Sequence, residues 1–277
     1  MSVTISFDRP MPELWLDPRF RQFTRSAINP DPDLQITAHY GQMPDLASLT
    51  GQQLFDAGGA WTVHSNDGDL AITVPGSGDQ PYRVAMLQPD LKSGHVYTRA
   101  TGNGDLLFDP LMFPLTEVLM ICLLSEYGGL MVHACGVDDG GKGYLFAGKS
   151  THGKSTMAGL WQDSAQILSD ERIVIRRHDG QFWIYGTPWH GDLDLFSPHS
   201  VPLEKFFILE HGSENRAVQA QPGLGLSELL TRSYLPFWDA GWMGQTLGFA
   251  RDMVAHTPPK TLAFVPNQEI VEFVRAS

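Results

Sequence analysis

This sequence contains few cysteines, no cluster of basic residues and no long hydrophobic run. Its two cysteines, Cys122 and Cys135, lie in apolar stretches and are predicted to be buried small hydrophobic residues rather than disulfide partners. The longest apolar run, residues 118–124, is far shorter than the about 20 residues that cross a bilayer. The first residues lack the basic and apolar regions of a signal peptide. We therefore expect a reduced, cytoplasmic protein without a membrane partner.

The charge balance is acidic. The chain has 19 lysines and arginines against 31 aspartates and glutamates, which gives a formal net charge of −12. Proteins that bind nucleic acids hold the phosphate backbone with clustered basic residues. The densest basic pair here, Arg176-Arg177, is followed directly by His178-Asp179. The composition therefore argues against a nucleic-acid partner.

The first 110 of the 277 residues are predicted to be rich in β-structure. Alternating apolar and polar residues, which are typical of half-buried strands, occur in five segments: 34–38, 61–64, 70–74, 82–87 and 94–99. Asp67-Gly68 favours a tight turn between the second and third of these segments. Because this region shows no set of catalytic residues, we interpret residues 1–110 as a recognition or packing region.

From residue 111 onward, helical and strand-like segments alternate. Apolar residues 111–127 predict a buried helix with Pro114 in its first turn, ended by Gly128-Gly129. The predicted strands that follow are 130–137, 144–147, 166–175, 182–185 and 206–209, and the predicted helices are 155–163, 226–233 and 243–255. Because 166–175 and 182–185 are joined by a short turn, they predict an antiparallel hairpin. We therefore expect residues 111–277 to form an α/β domain (mixed α+β) with a mixed sheet.

Residues 148–155, Gly-Lys-Ser-Thr-His-Gly-Lys-Ser, match the G-x-x-x-x-G-K-S pattern of a phosphate loop (P-loop). The pattern requires a buried strand before it and a helix after it, and both are predicted here. Glycines let the backbone N–H groups face the phosphates, while the lysine contacts the β- and γ-phosphates and the last serine can bind Mg²⁺. The predicted nucleotide-binding residues are those of the loop and the first helical turn: Gly148, Lys149, Ser150, Thr151, His152, Gly153, Lys154, Ser155 and Thr156.

Asp170 and Glu171 interrupt an apolar strand a short distance after the loop. Phosphoryl transfer needs one carboxylate to hold Mg²⁺ and another to orient or deprotonate the acceptor hydroxyl. Because adjacent strand residues point to opposite faces, we assign Asp170 to the nucleotide side as base or metal ligand. Glu171 is a second acidic candidate if the strand is distorted. The alternative for both residues is a surface pair at the end of a strand.

Four further residues are candidates for contacts near the phosphates. His133 lies in an apolar strand and is either functional or a core histidine. Trp189 and His190 follow a proline in a predicted loop, which either contacts the nucleotide or acceptor or forms a structural corner. Residues 210–225 are either a flap over the acceptor, with Arg216 able to contact phosphate, or an ordinary exposed loop.

The order of these motifs resembles that of the HPr kinase/phosphorylase-like superfamily, whose fold is shared with phosphoenolpyruvate carboxykinase. The matching segments are Val132-His133-Ala134, Phe146 through Thr156, and Leu168-Ser169-Asp170-Glu171. The resemblance covers roughly residues 110–277. It implies that Asp170 is the base for the acceptor serine, that Glu171 lies beside Mg²⁺ and that His133 neighbours the base. The family has Asp-Asp where this chain has Asp170-Glu171.

Within that superfamily the chain is similar to the compact branch that includes lasso-peptide precursor kinases, which phosphorylate a serine of a short precursor. The resemblance implies ATP and Mg²⁺ as cofactors and a Ser or Thr hydroxyl of a peptide or small protein as the acceptor. Two alternatives stay open: a small-molecule kinase acting on free serine or a sugar, and a nucleotide-binding regulator without catalysis. A homo-oligomer also stays open.

Overall fold

The structure is a computed structural model that describes residues 1–8, 14–25, 29–45, 51–76, 80–99, 107–149 and 152–277. The chain forms two compact units. The first comprises residues 1–123 and 237–240, and the second comprises residues 124–236 and 241–277. The domain boundary predicted near residue 110 stays a prediction.

The first unit contains a seven-stranded sheet. Its elements are β1 (Val3–Phe7), β2 (Leu14–Trp15), α1 (Pro18–Arg21), β3 (Leu34–Tyr40), β4 (Gln52–Asp56), β5 (Thr62–Asn66), β6 (Asp69–Pro75), β7 (Pro81–Leu87), β8 (Ser93–Thr98), β9 (Leu107–Phe108) and most of α2 (Leu115–Tyr127). The strand order in the sheet is β1-β3-β8-β7-β6-β5-β4. The first three strands are parallel, and each later neighbour is antiparallel.

The strands predicted in this region are confirmed. Leu34, Ile36 and Ala38 of β3 are fully buried, as the alternating pattern requires. Strands β5 and β6 pair antiparallel across Asp67 and Gly68, whose φ angles of 50° and 95° are those of a tight hairpin turn.

Helix α2 begins later than predicted, because Pro114 lies before the helix and not within its first turn. The preceding residues form a turn in which the backbone N–H of Leu111 donates to Asp109 Oδ1, and that of Met112 to Asp109 O. These local hydrogen bonds compete with helix formation. Helix α2 ends at Tyr127, and the next residue, Gly128, has a φ of 78°, the left-handed conformation common after a helix.

The second unit contains a nine-stranded mixed sheet. Its elements are β10 (Gly129–Asp138), β11 (Gly143–Ala147), α3 (Lys154–Trp161), β12 (Gln166–Ser169), β13 (Arg172–His178), β14 (Gln181–Tyr185), β15 (Ser200–His211), β16 (Arg216–Gln219), α4 (Pro222–Leu230), β17 (Ser233–Tyr234), α5 (Ala240–His256), β18 (Lys260–Phe264) and α6 (Glu269–Ala276). Strands β11, β15 and β18 are parallel neighbours, and the other pairings are antiparallel. The predicted mixed α/β fold with a mixed sheet is confirmed.

Helices cover both faces of this sheet. Alternate residues of a strand point to opposite faces; accordingly, Val132 and Ala134 of β10 join a core with residues of α4 and α5, whereas Cys135 and Val137 join a core with residues of α3 and α6. Cys122 and Cys135 are both buried free thiols, as predicted. Within the residues that the structure describes, no helix is long and apolar enough to cross a membrane.

Two predictions about this unit were wrong in detail. The strand predicted for residues 166–175 is divided into β12 and β13, with Asp170 and Glu171 at the break. Residues 210–225 are not one loop, since they contain the end of β15, all of β16 and the start of α4. Strand pairing explains the second difference, because β16 adds to the sheet alongside β18 and so orders a segment whose composition is typical of loops.

Candidate functional site

The candidate phosphate loop lies at one edge of the second sheet. Because β11, β15 and β18 are parallel, their carboxyl ends meet at the same edge. The chain leaves this edge at Gly148 and enters α3 at Lys154. In open α/β sheets, ligands bind at the carboxyl ends of parallel strands. Ser150 and Thr151 of the predicted loop lie outside the described residues.

A side chain at Gly153 would collide with a neighbouring ring, and one at Gly148 would be tightly packed. Gly153 has a φ of 90°, and a Cβ atom there would lie 2.7 Å from the ring of Phe264. A Cβ atom on Gly148 would lie 3.1 Å from His152 Cβ and 3.3 Å from Leu209 Cβ. Gly148 therefore lies close to β15 and Gly153 close to the end of β18, and the left-handed backbone of Gly153 favours glycine.

The other described loop residues differ in exposure. Lys149 and Thr156 are exposed, and Ser155 is half-buried in the first turn of α3. His152 is anchored, since its Nδ1 lies 3.0 Å from the carbonyl oxygen of Leu209. The structure therefore attaches the loop to β15 through a residue that the sequence motif leaves variable.

Lys154 is buried at the start of α3. Its Nζ donates hydrogen bonds to the carbonyl oxygens of Gly148, at 3.2 Å, and Lys149, at 3.4 Å. Burial lowers the pKa of Lys154, and the attraction of Glu171 partly opposes this effect. The ammonium group is thus held by the backbone carbonyls at the start of the loop.

Asp170 is fully buried. Its Oδ1 accepts a hydrogen bond of 2.7 Å from the backbone N–H of Gly191, and its Oδ2 accepts one of 3.4 Å from Leu193. These two amides fix the carboxylate in one orientation. A Cβ atom on Gly191 would lie 2.8 Å from Asp170 Oδ2, so the close approach of this segment again requires glycine.

The side chain of Ser169 stabilises the break between β12 and β13, so that Asp170 and Glu171 do not lie in a regular strand. Its buried hydroxyl oxygen accepts hydrogen bonds from the backbone N–H groups of Glu171 and Arg172, both at 3.1 Å, and donates to the carbonyl oxygen of Trp189 at 2.8 Å. The side chain therefore replaces ladder hydrogen bonds at this point. Because the backbone is not a regular strand here, Glu171 does not have to point to the face of the sheet opposite Asp170.

Glu171 pairs with His133 on β10. The Nδ1 atom of His133 lies 3.2 Å from Glu171 Oε1, and this hydrogen bond holds the pKa of Glu171 below its usual value. Unlike Asp170, Glu171 keeps 28% of its side chain exposed. Both carboxylates attract the Lys154 ammonium group, Glu171 more strongly. The structure thus brings together Lys154, Asp170, Glu171 and His133, which the sequence analysis had selected.

Trp189 and His190 belong to the segment that encloses Asp170. The guanidinium group of Arg172 lies 5.8 Å from the centre of the Trp189 ring, and His190 Nε2 lies 3.0 Å from Asp194 Oδ1. These contacts stabilise the segment that carries the amides bound to Asp170. The observed role of Trp189 and His190 is structural, and their contact with a substrate stays a prediction.

Arg216 is exposed at the start of β16, opposite Ala263 of β18. Because β16 runs antiparallel to β18, Arg216 lies near the same edge of the sheet as the loop. Its contact with phosphate also stays a prediction.

The oxygen donors near the loop suit Mg²⁺ better than a transition metal. Within the described ranges, no group of three or more His, Cys, Asp and Glu side chains could hold a metal ion. Mg²⁺ commonly needs only one or two carboxylates, with water and substrate phosphates completing its shell. The hydroxyl of Ser155 and the carboxylates of Asp170 and Glu171 fit that requirement as hard oxygen ligands.

Sequence reasoning missed Ser169, Gly191 and Arg232. Ser169 preceded the acidic pair in the motif but received no role, and Gly191 carries no local signal that it approaches Asp170. Arg232 follows α4, far along the chain, yet its backbone carbonyl accepts a 2.7 Å hydrogen bond from the N–H of His133. Only the pairing of β17 with β10 brings it to the site.

No protein-family model and no curated protein matches the chain. Among solved structures, the chain is similar to one described as "Structure of the Hpr(Ser) kinase/phosphatase from Coxiella burnetii", with 12% sequence identity and a TM-score of 0.31. The similarity covers 53% of this chain and 94% of that chain.

Proposed function

We propose that this protein is an ATP- and Mg²⁺-dependent kinase that transfers the γ-phosphoryl group to a Ser or Thr hydroxyl. The observation that carries the proposal is the buried Lys154 ammonium, which donates to the loop carbonyls of Gly148 and Lys149 and is attracted by Asp170 and Glu171 at the break between β12 and β13. A loop between a buried strand and a helix is suited to polyphosphate, and a carboxylate beside it is suited to deprotonating an alcohol.

In the proposed reaction, the acceptor oxygen forms a bond to the γ-phosphorus, and the bond from that phosphorus to the β,γ-bridging oxygen breaks. The hydroxyl proton passes to the carboxylate of Asp170, which the acceptor reaches when the segment at Gly191 moves, and ADP leaves. Lys154 and the loop amides bind the phosphates and balance the charge that moves onto the leaving group. His133 keeps Glu171 ionised and positioned through the hydrogen bond that they share.

Mg²⁺, held by Ser155 with Asp170 and Glu171, would neutralise phosphate charge and orient the transferred group. Oxygen-only ligation at this position favours Mg²⁺ over softer metals.

We further propose that the acceptor belongs to a peptide or small protein, with a precursor peptide of the lasso type as the first candidate. The support is the resemblance of the motif order, from His133 to Asp170-Glu171, to kinases that act on peptide serines. A small-molecule kinase and a catalytically inactive nucleotide-binding regulator are the alternatives that the experiment has to separate.

The test is transfer of label from [γ-³²P]ATP in the presence of Mg²⁺ to a panel of Ser- and Thr-containing peptides, free serine and sugars. We expect label on a peptide, lost in Lys154→Ala. Lys142→Ala is the matched control, since Lys142 is an exposed turn residue whose side chain pairs only weakly with Glu204 at 3.8 Å, and it should retain wild-type transfer.

Each other outcome identifies an alternative. Label on free serine or a sugar alone would make the protein a small-molecule kinase. Tight ATP binding without transfer to any acceptor would favour the regulator. Equal transfer by wild type and Lys154→Ala would contradict the proposed site itself.

A further inference from the structure

His152 lies within the phosphate loop, at a position where the motif accepts any residue. Its backbone N–H donates to the carbonyl oxygen of Lys149 at 3.0 Å. Its ring nitrogen Nδ1 lies 3.0 Å from the carbonyl oxygen of Leu209, near the carboxyl end of β15. His152 thus connects the loop to a strand that is 57 residues further along the chain.

The contact with Leu209 fixes which ring nitrogen of His152 carries a proton. A carbonyl oxygen only accepts hydrogen bonds, so Nδ1 is the donor. The side chain is half-buried, and its Cβ and that of Leu209 lie so close to Gly148 that a Cβ atom there would be 3.1 Å and 3.3 Å away from them. The ring also contacts that of His211, with centres 5.4 Å apart. Close packing of this kind reduces competition from water for the hydrogen bond.

The described part of the loop is attached to the rest of the second unit at three points. Gly148 follows β11 directly, and Lys154 begins α3. Any phosphate loop has these two attachments, because the motif itself lies between a strand and a helix. The third attachment, from the ring of His152 to Leu209, depends on the residue that this chain has at a variable position.

A loop of this kind binds phosphate best if its N–H groups already converge when the nucleotide arrives. A loop that is ordered only on binding loses conformational entropy at that moment, and this cost lowers the affinity. An attachment between the two ends of the loop, made before the nucleotide binds, removes part of that cost.

We propose that His152 is a positioning residue for nucleotide binding, because its hydrogen bond to Leu209 holds the loop in the form that receives the phosphates. The inference rests on the proposed function and adds a residue to it. His152 acts through the loop backbone and touches no reacting atom. Since the loop binds the β-phosphate, which ATP and ADP share, His152 contributes to the affinity for both nucleotides.

Two amide substitutions separate the hydrogen bond from the volume of the ring. The side-chain nitrogen of asparagine can take the place of Nδ1, whereas that of glutamine lies one atom further along the side chain. Isothermal titration calorimetry measures the binding of β,γ-imido-ATP and of ADP, each with Mg²⁺. In His152→Gln, we expect both affinities to fall about 3- to 10-fold, the effect of one lost neutral hydrogen bond. In His152→Asn, both should stay within about twofold of wild type.

His178→Gln is the matched control, since the side chain of His178 is 64% exposed at the end of β13. This substitution should leave both nucleotide affinities unchanged. The thermal midpoint of every variant is measured alongside. His152→Ala removes the ring together with its donor, and its comparison with His152→Asn decides the question if His152→Gln does not fold.

The outcomes separate the inference from the function on which it rests. Wild-type affinities in His152→Gln would overturn the inference and leave the proposed function intact. Equal losses in His152→Gln and His152→Asn would assign the effect to the packing of the ring and would also overturn it, as would a greater loss in His152→Asn. A wild-type protein that binds neither nucleotide would overturn the proposed function, and the inference with it.

Discussion

Asp170 and Glu171 are adjacent in the chain, yet they differ in their access to solvent. Asp170 is fully buried beneath the backbone of Gly191 and Leu193, whereas 28% of the Glu171 side chain is exposed. A general base must come within hydrogen-bond distance of the proton that it removes. An acceptor can therefore reach Asp170 only if the segment at Gly191 moves, while Glu171 is accessible without such a movement.

Substituting Asp170 and Glu171 one at a time shows which of the two carboxylates is the base. If Asp170 is the base, Asp170→Asn should lower the rate of phosphoryl transfer about 10²- to 10⁴-fold, and Glu171→Gln should have the smaller effect. Asp179→Asn is the control, because Asp179 lies in an exposed turn with a φ of 48° that asparagine also tolerates. A larger loss in Glu171→Gln would transfer the role of base to Glu171.

The loop glycines allow a second test with a matched pair. Gly153 and Gly180 both have a left-handed backbone, with φ of 90° and 80°, but only Gly153 faces a ring, that of Phe264. Gly180→Ala should cost about 1–2 kcal/mol in the free energy of unfolding, the cost of the backbone conformation alone. Gly153→Ala should cost more and also weaken ATP binding, as urea unfolding and calorimetry would measure. Equal effects of the two substitutions would mean that the loop does not depend on the Phe264 contact.

Among the structural elements, the break between β12 and β13 does most to shape the site. The sequence predicted one continuous strand over residues 166–175, whereas the structure has two strands that both pair with β10. The hydroxyl of Ser169 interrupts the pairing, and Leu168 just before it is an extra residue on β12, since Gly136 faces Ser169 and Val137 faces Ile167. A bulge of this kind re-aims side chains next to functional sites, which here means that Glu171 reaches His133 while Asp170 faces the 191–193 segment.

Ser169→Ala tests this element. The change removes the hydrogen-bond partner of the backbone N–H groups of Glu171 and Arg172 and one of the two donors to the carbonyl oxygen of Trp189. We expect a loss of about 2–3 kcal/mol in the free energy of unfolding, together with reduced phosphoryl transfer as the carboxylates shift. Ser164→Ala is the control, since Ser164 is exposed and donates only to Trp161 O at 3.3 Å. A change of less than about 0.5 kcal/mol in both variants would show that the break does not depend on the hydroxyl.

For the whole molecule, nucleotide binding should appear as a gain in stability, because a ligand that binds only the native state stabilises it. Mg·ATP at about 100 times its Kd should add about 2.7 kcal/mol to the free energy of unfolding. For a domain of about 150–250 residues, we expect a rise in Tm of roughly 5–10 °C, since about 1 kcal/mol shifts Tm by about 2–4 °C. Scanning calorimetry would measure it, with Lys142→Ala behaving as wild type and Lys154→Ala losing most of the shift. A similar shift in Lys154→Ala would place ATP elsewhere on the protein.

The sequence by itself determined the features that depend on neighbouring residues. The alternation of apolar and polar residues predicted β3 and the hairpin across Asp67-Gly68. The motif from Gly148 to Ser155 predicted a loop between a strand and a helix. These features could be predicted because side-chain period and turn chemistry act over a few residues. The short turn between residues 166–175 and 182–185 predicted an antiparallel hairpin and with it the mixed sheet.

Tertiary structure alone decided which distant residues meet. The pairing of β17 with β10 brings Arg232 to His133, and the segment at Gly191 closes over Asp170. The break at Ser169 likewise depends on two strands sharing β10. No local pattern encodes these contacts, because their free energy comes from groups far apart in the chain that only folding brings within hydrogen-bond distance.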